Sequence, residues 1–404
     1  MGKETALESI LILCVTACLI PLVVHKLRGL KLPVPVAEIV TGIVLGKSGL
    51  NLIRMAPGIE LLALLGFAYL MFLSGLELDF AFFKPAAGRN LFESPLGSGL
   101  IIFGFTLGLS LIFASALTRF GMIGSPWLLT LIFSTTSLGV VVPVLKDRAL
   151  AGRPIGRAIL LAALVADSAT MLMIPVVLFL TAGRRDIQLI DLLLMVGFGC
   201  GYYMLTRTKT KRQFAQLVSD YSQTVVRAAF ALLLILVALA EAAGMEIVLG
   251  AFLAGILYAV AVGSLREKIL PKLEAVGYGF LIPIFFLTVG AKFDLQLTLR
   301  RESLLLLPLL LYIVYVVKLV PALLLARRHG LREAVAAGVL LSSRLSLIIA
   351  LSYLALAEKL INETIHNAFI LVAMVTCVAS PLLFVRLFPA EPGTRRSRAK
   401  LFDE

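Results

Sequence analysis

Three charged residues lie deep inside apolar stretches of this 404-residue chain. Asp167 sits in LLAALVADSATMLMIPVVLFL, Lys318 in LLYIVYVVKLVPALLLARR and Arg344 in AAGVLLSSRLSLIIALSYL. At the rise of an α-helix, each stands about 14–18 Å from the basic residue that flanks its stretch (Arg157, Arg327 or Arg332). That is near the middle of a hydrocarbon core about 30 Å thick, where a charge costs about 2.5–3.5 kcal/mol on insertion scales. A lysine stem is too short to carry its ammonium out to the interface from there. Such residues also occur as structural pairs that lock helices together. Three at one depth in separate helices point instead to a buried polar site. Its lone carboxylate, Asp167, can hold a proton or a dehydrated monovalent cation, but not both at once, and Lys318 and Arg344 would balance the charge.

Hydroxyl residues flank these charges. Ser134, Thr135, Thr136 and Ser137 run together, with Gly139 and Pro143 close behind, and Ser342, Ser343 and Ser346 surround Arg344. A helix interrupted at either place would free carbonyls as well as hydroxyls. Irregular backbone at membrane depth is tolerated only when buried in protein or beside a cavity, and a pair of interrupted helices points to a transporter site. Ser134, Thr135 and Thr136 would then replace waters that a cation at Asp167 has lost. The plainer alternative for each run is a small-residue packing face between helices.

The elements that must position these groups are membrane helices. The chain is 60% hydrophobic, with a mean hydropathy of +1.01. Its apolar runs are long and contain Gly, Pro and Ser, unlike the short alternating strands of a membrane barrel. The pattern predicts an all-α polytopic membrane protein of about thirteen transmembrane helices, at 5–25, 31–50, 57–78, 96–118, 126–146, 155–182, 187–206, 223–242, 246–263, 276–291, 303–326, 333–357 and 364–388. Glu4 and Glu8 spoil the basic start of a cleaved signal, so the first run is read as a span. VTAC, ending at Cys18, is set aside as a lipoprotein box because the apolar run continues past it.

A net charge of +13 would suit nucleic acid, but its distribution does not. Lys and Arg gather in alternate loops, including Lys146, Arg148 and Arg153, the run 207–227, and Arg327, Arg328 and Arg332. The positive-inside bias predicts an outside N-terminus and a cytoplasmic C-terminus. The segment 207–227 is either a solvated loop or one that touches anionic headgroups. Residues 389–404 are expected to form a disordered cytoplasmic tail. Cys14, Cys18, Cys200 and Cys377 lie in apolar spans at unrelated spacings, and His25, His329 and His366 lie at span ends. Neither set suggests a metal centre, and no cofactor is expected.

Spans four to six and eleven to thirteen form two triplets offset by seven helices. An odd offset inverts the second triplet, and the interrupted helix is the middle one in both. The layout is that of inverted repeats with two interrupted helices.

Several ordered motifs also resemble the monovalent cation/proton antiporters, in the branch of bacterial sodium/proton exchangers and glutathione-gated potassium efflux systems. VPVAEIVTGIVLGKSGL resembles that family's second-span motif, with Glu38, Gly42 and Gly46 in place. FLSGLELDF, STTSLGVVVPVLKD, LIPIFFLTVGAKFDL and VVKLVPALLLARRHG resemble four more of its motifs in order. The resemblance implies a homodimer in the cell inner (plasma) membrane, with a scaffold and a moving six-helix core. Scaffold and dimer helices would occupy 1–95, the first half of the core 96–182, a linker helix and further scaffold helices 183–302, and the second half of the core 303–388. Asp167 falls on the acid that binds cation and proton alternately, and Lys318 on the family's intramembrane lysine. The chain departs from the pattern at Ala166, Ser346 and Lys47, where the family often has a polar residue, an acid and a proline. The site is thus poorer in acids, with two cations against one carboxylate.

The function expected is a secondary active transporter, not an enzyme, that exchanges sodium or potassium for protons by alternating access. Two alternatives stay open. The surplus positive charge suits a sodium- or proton-coupled transporter of an anion or organic solute, and the missing acids suit a degenerate, non-transporting membrane sensor.

Overall fold

The computed structural model describes residues 2–26, 33–77, 95–119, 126–148, 150, 153–181, 222–242, 247–298 and 301–388. All regular structure among them is helical. In chain order the helices are α1 Gly2–Lys26, α2 Val34–Leu45, α3 Pro57–Glu77, α4 Pro95–Arg119, α5 Pro126–Ser134, α6 Leu138–Asp147, α7 Pro154–Thr181, α8 Ser222–Ala242, α9 Ile247–Val262, α10 Arg266–Val276, α11 Ile282–Lys292, α12 Arg301–Ala322, α13 Leu331–Leu341, α14 Ser346–Ala357 and α15 Glu363–Leu387. Among the described residues nine stretches are long and apolar enough to cross a membrane, ten with α13 and α14 taken as one bent span. Val34–Leu45 and Gly250–Val262 are shorter apolar helices. The seventh expected span, 187–206, and the tail 389–404 lie outside the described residues.

The tenth span differs from its sequence reading. Helix begins at Arg266 rather than near 276, and one wide turn, Gly277–Leu281, joins α10 to α11. The segment REKILPKLEAV is amphipathic: Ile269 and Leu273 are buried while Lys268 and Lys272 are exposed. Its charges lower the hydropathy that marks a span, although one side of it is apolar.

The chain divides into two compact units, Met1–Ala81 with Met171–Gln296, and Phe82–Thr170 with Leu297–Glu404. In the first unit, α2 packs on α11 and α3 packs on α9. Both crossings are made through glycine. A Cβ added at Gly42 would fall 2.2 Å from the Leu287 oxygen, and one at Gly255 would fall 2.1 Å from the Phe72 oxygen. Small residues let backbones approach this closely when lipid supplies no hydrophobic drive between helices. Around the α2–α11 crossing Leu13, Ile20, Ala37, Ile59, Ile284 and Leu287 form a shared apolar core.

In the second unit α4, α5, α12, α13, α14 and α15 pack on one another. Gly99 on α4 brings that helix against Leu161 and Ala162 of α7. The apolar core of this unit runs from Val141, Leu145 and Ile159 to Ala336, Leu340 and Phe384. It surrounds two places where the chain leaves helical geometry, at residues 135–137 and 342–345.

Candidate functional site

Helix α5 ends at Ser134 and α6 begins at Leu138, in the middle of a 20-residue apolar stretch. Helices α13 and α14 flank the second break and are bent 46° to one another. Each break leaves a half-helix with terminal carbonyls that have no intrahelical donor, in a place where water cannot supply one.

The two breaks answer this need for each other. The Thr136 hydroxyl donates to the Leu341 oxygen at 3.1 Å, and the Ser137 amide donates to the Ser343 oxygen at 2.9 Å. The carbonyls at the end of α13 are thus met by the chain just past α5. At the end of α5, Lys318 Nζ donates to the Ser134 oxygen at 2.6 Å, and Arg344 Nη1 donates to the Ile132 oxygen at 2.7 Å. Arg344 Nη2 reaches the Val314 oxygen of α12 at 3.4 Å. Both cations therefore stand at the negative end of a half-helix dipole, where positive charge is favoured. Lys318 is 2% exposed and Arg344 1%.

Asp167, on α7, is 9% exposed. It lies within electrostatic reach of Lys318, which also feels Arg344. Ser134, Thr135 and Thr136 are all buried. The Ser134 hydroxyl donates to the Leu131 oxygen and the Thr135 hydroxyl to the Ile132 oxygen. A hydroxyl whose proton is given to a carbonyl keeps its oxygen lone pairs for another partner, and a cation is the partner such oxygens suit. The structure thus gathers Asp167, Lys318, Arg344 and the hydroxyl run within one compact unit.

Sequence reasoning expected freed carbonyls at the breaks but missed what the main chain there bonds to. The Ile132, Ser134, Leu341 and Ser343 oxygens and the Ser137 amide carry no side-chain pattern. Among the described residues, Ser343 Oγ and Arg344 Nε are fully buried with no hydrogen-bond partner, as is Ser110 Oγ on α4. His366, read as a span-end residue, is buried, and its Nδ1 lies 3.1 Å from Ser352 Oγ. No group of three His, Cys, Asp or Glu side chains comes together among the described residues.

Two broken membrane helices that cap each other beside a buried acid define the architecture of a secondary transporter. The chain belongs to the sodium/hydrogen exchanger family: the profile described as "Sodium/hydrogen exchanger, transmembrane" matches residues 14–387. A putative Na(+)/H(+) antiporter, YjbQ, of Bacillus subtilis is 38% identical over 408 residues, covering 99% of this chain and 66% of that protein. The chain therefore spans about two thirds of that relative's length. The probable Na(+)/H(+) antiporter 3 of Methanocaldococcus jannaschii is 25% identical over 379 residues, covering 92% of this chain and 94% of its own. The fold is similar to that of the sodium proton antiporter MjNhaP1 from Methanocaldococcus jannaschii, with a TM-score of 0.57 at 14% identity over 95% of this chain and 96% of that one.

Proposed function

We propose that the chain is a secondary active transporter, not an enzyme, that exchanges a monovalent cation, sodium or potassium, for protons at Asp167. The observation that carries this reading is the employment of the two buried cations. Lys318 and Arg344 are bonded to the carbonyls that end α5, so the surplus positive charge is offset by the half-helix and Asp167 is left as the acid of the site. That arrangement favours a cation substrate over an anion, since the positive groups that would attract an anion are already engaged.

Asp167 holds a proton or a cation. The Ser134 and Thr135 oxygens, with Thr136 beside them, replace part of the cation's lost water. Only the loaded site crosses, because an empty carboxylate away from water is costly, and exchange follows from this competition. The second compact unit carries these groups and serves as the moving core, while the first is the scaffold. The transporter works as a homodimer in the cell inner membrane, with its N-terminus outside and its C-terminus in the cytoplasm. The names of the relatives support exchange of a cation for protons, and the basic loops support the orientation of the termini.

Proton flux in proteoliposomes, with sodium, potassium and lithium added in turn, tests the reading. Cation-driven proton release is the expected result. Flux of labelled anions without cation-driven proton movement would replace it with the anion reading, and no flux of either kind from folded protein with the sensor reading.

A further inference from the structure

Glu38 is an ionisable group in the apolar interior that the exchange scheme does not use. It lies on α2, is 3% exposed and has no hydrogen-bond or ion-pair partner among the described residues. Helix α2 turns Val40 and Val44 outward, while Glu38 and Gly42, one turn apart, share its buried stripe.

Gly42 and Gly46 meet the backbone of α11, and Gly290 of α11 meets the Ile39 oxygen beside Glu38. Beyond Gly42 the two helices are tied repeatedly. The Lys47 amide donates to the Ala291 oxygen, Ser48 bonds to both Phe293 and Leu295, and Lys47 Nζ pairs with Asp294 at 3.3 Å. These ties lie C-terminal to Gly42, and Glu38 lies N-terminal to it.

The elements packed on α2 are α1 and α11. On α11 the Thr288 hydroxyl is given to the Ile284 oxygen, and the one charge of that helix, Lys292, pairs with Glu60 at 3.5 Å. The described charges of α1, Glu8 and Lys26, lie near its two ends. Cys14 and Cys18 are the other titratable groups described on that helix. Among the described residues, then, no cation is paired with Glu38. An unpaired carboxylate away from water is far more costly than the neutral acid.

We propose that Glu38 is a second proton-binding group of this transporter, held as the neutral acid at the α2–α11 crossing. Loss of its proton to water loosens the N-terminal half of α2 and sets the alkaline limit of transport. The transport clause rests on the exchange reading above, whereas the crossing clause does not.

The test is thermal unfolding of the full chain in detergent across a pH series, for the wild type, Glu38→Gln, Glu38→Met and Glu38→Asp. The folded state prefers the neutral acid and the unfolded state ionises freely, so stability from this group is lost as pH rises. The wild type and Glu38→Asp should lose melting temperature toward alkaline pH, and the Gln and Met variants should lack that loss. Hydrogen exchange over 34–41 should rise with pH in the wild type and stay flat in Glu38→Gln. The same pH slope in the wild type and Glu38→Gln would overturn the proposal. So would failure of both neutral variants to fold, since a neutral side chain is all the crossing requires. In proteoliposomes Glu38→Gln should keep exchanging at alkaline pH where the wild type slows. An unaltered transport profile beside altered stability overturns the transport clause alone. These stability readings stand whether or not the chain proves to be an exchanger.

Discussion

Lys318 Nζ lies 2.6 Å from the main-chain oxygen of Ser134, so a buried lysine on α12 closes the broken end of α5. Arg344 does the same at Ile132 and also holds α12 through Val314. Two cations at membrane depth, costly when alone, become the caps of a helix that ends where no water can cap it.

This assigns Lys318 and Arg344 different tolerances. Lys318→Met should cost about 1.5–3 kcal/mol, the worth of a hydrogen bond from a charged donor. Arg344→Met removes bonds from a charged donor to two carbonyls and should cost about 1.5–3 kcal/mol for each. Arg344→Lys should recover only part of this, since an ammonium on a flexible stem cannot span Ile132 and Val314 as the guanidinium does. Thermal midpoints in detergent rank the three. A Lys318 variant less stable than the Arg344 one would contradict the bonding pattern.

The hydroxyl run should separate into two kinds of residue. Thr136 bridges the two breaks through Leu341, so Thr136→Val should lower stability by about 1 kcal/mol. Ser134→Ala and Thr135→Val remove hydroxyls bonded to carbonyls of α5 one turn back. They should leave the melting temperature nearly unchanged and raise the cation concentration needed for half-maximal exchange. Cation titrations of proton flux beside thermal scans read both effects.

The depth of Asp167, Lys318 and Arg344 was legible because an apolar background makes a charge conspicuous, and the breaks were legible because hydroxyl runs with Gly139 and Pro143 are poor helix interiors. What the cations bond to was not legible. Their partners are the oxygens of Ile132, Val314 and Ser134, and every residue carries such an oxygen. The early start of α10 was hidden because hydropathy averages Lys268 and Glu274 with Ile269 and Leu273. The α2–α11 crossing did leave a trace, in the spacing of Gly42 and Gly46.

The glycine crossings give a matched contrast. At Gly42→Ala or Gly255→Ala the new Cβ meets a backbone oxygen about 2 Å away, which only a shift of whole helices relieves, so folded yield and melting temperature should fall. Gly104→Ala and Gly108→Ala on α4 have open space around the added carbon. They should be neutral, or stabilising by up to about 1 kcal/mol from helix propensity.

Ala166 precedes Asp167, so no second acid stands beside it in the sequence. With one carboxylate in the scheme, one proton exchanges for one monovalent cation and no net charge moves. Imposing a potassium–valinomycin potential of either sign on proteoliposomes should leave sodium-driven proton flux unchanged. A rate that follows the sign of the potential would mean that a second group, Lys318 or Glu38, carries charge through the cycle.

The most direct test of the account is cation-driven proton flux by Asp167→Asn in proteoliposomes, measured beside its thermal midpoint. Asn keeps the shape and the hydrogen-bonding capacity of the acid but cannot hold a proton in exchange for a cation. The account predicts a folded protein with exchange lost at every cation concentration and pH tested. Exchange at the wild-type rate in that variant would contradict it.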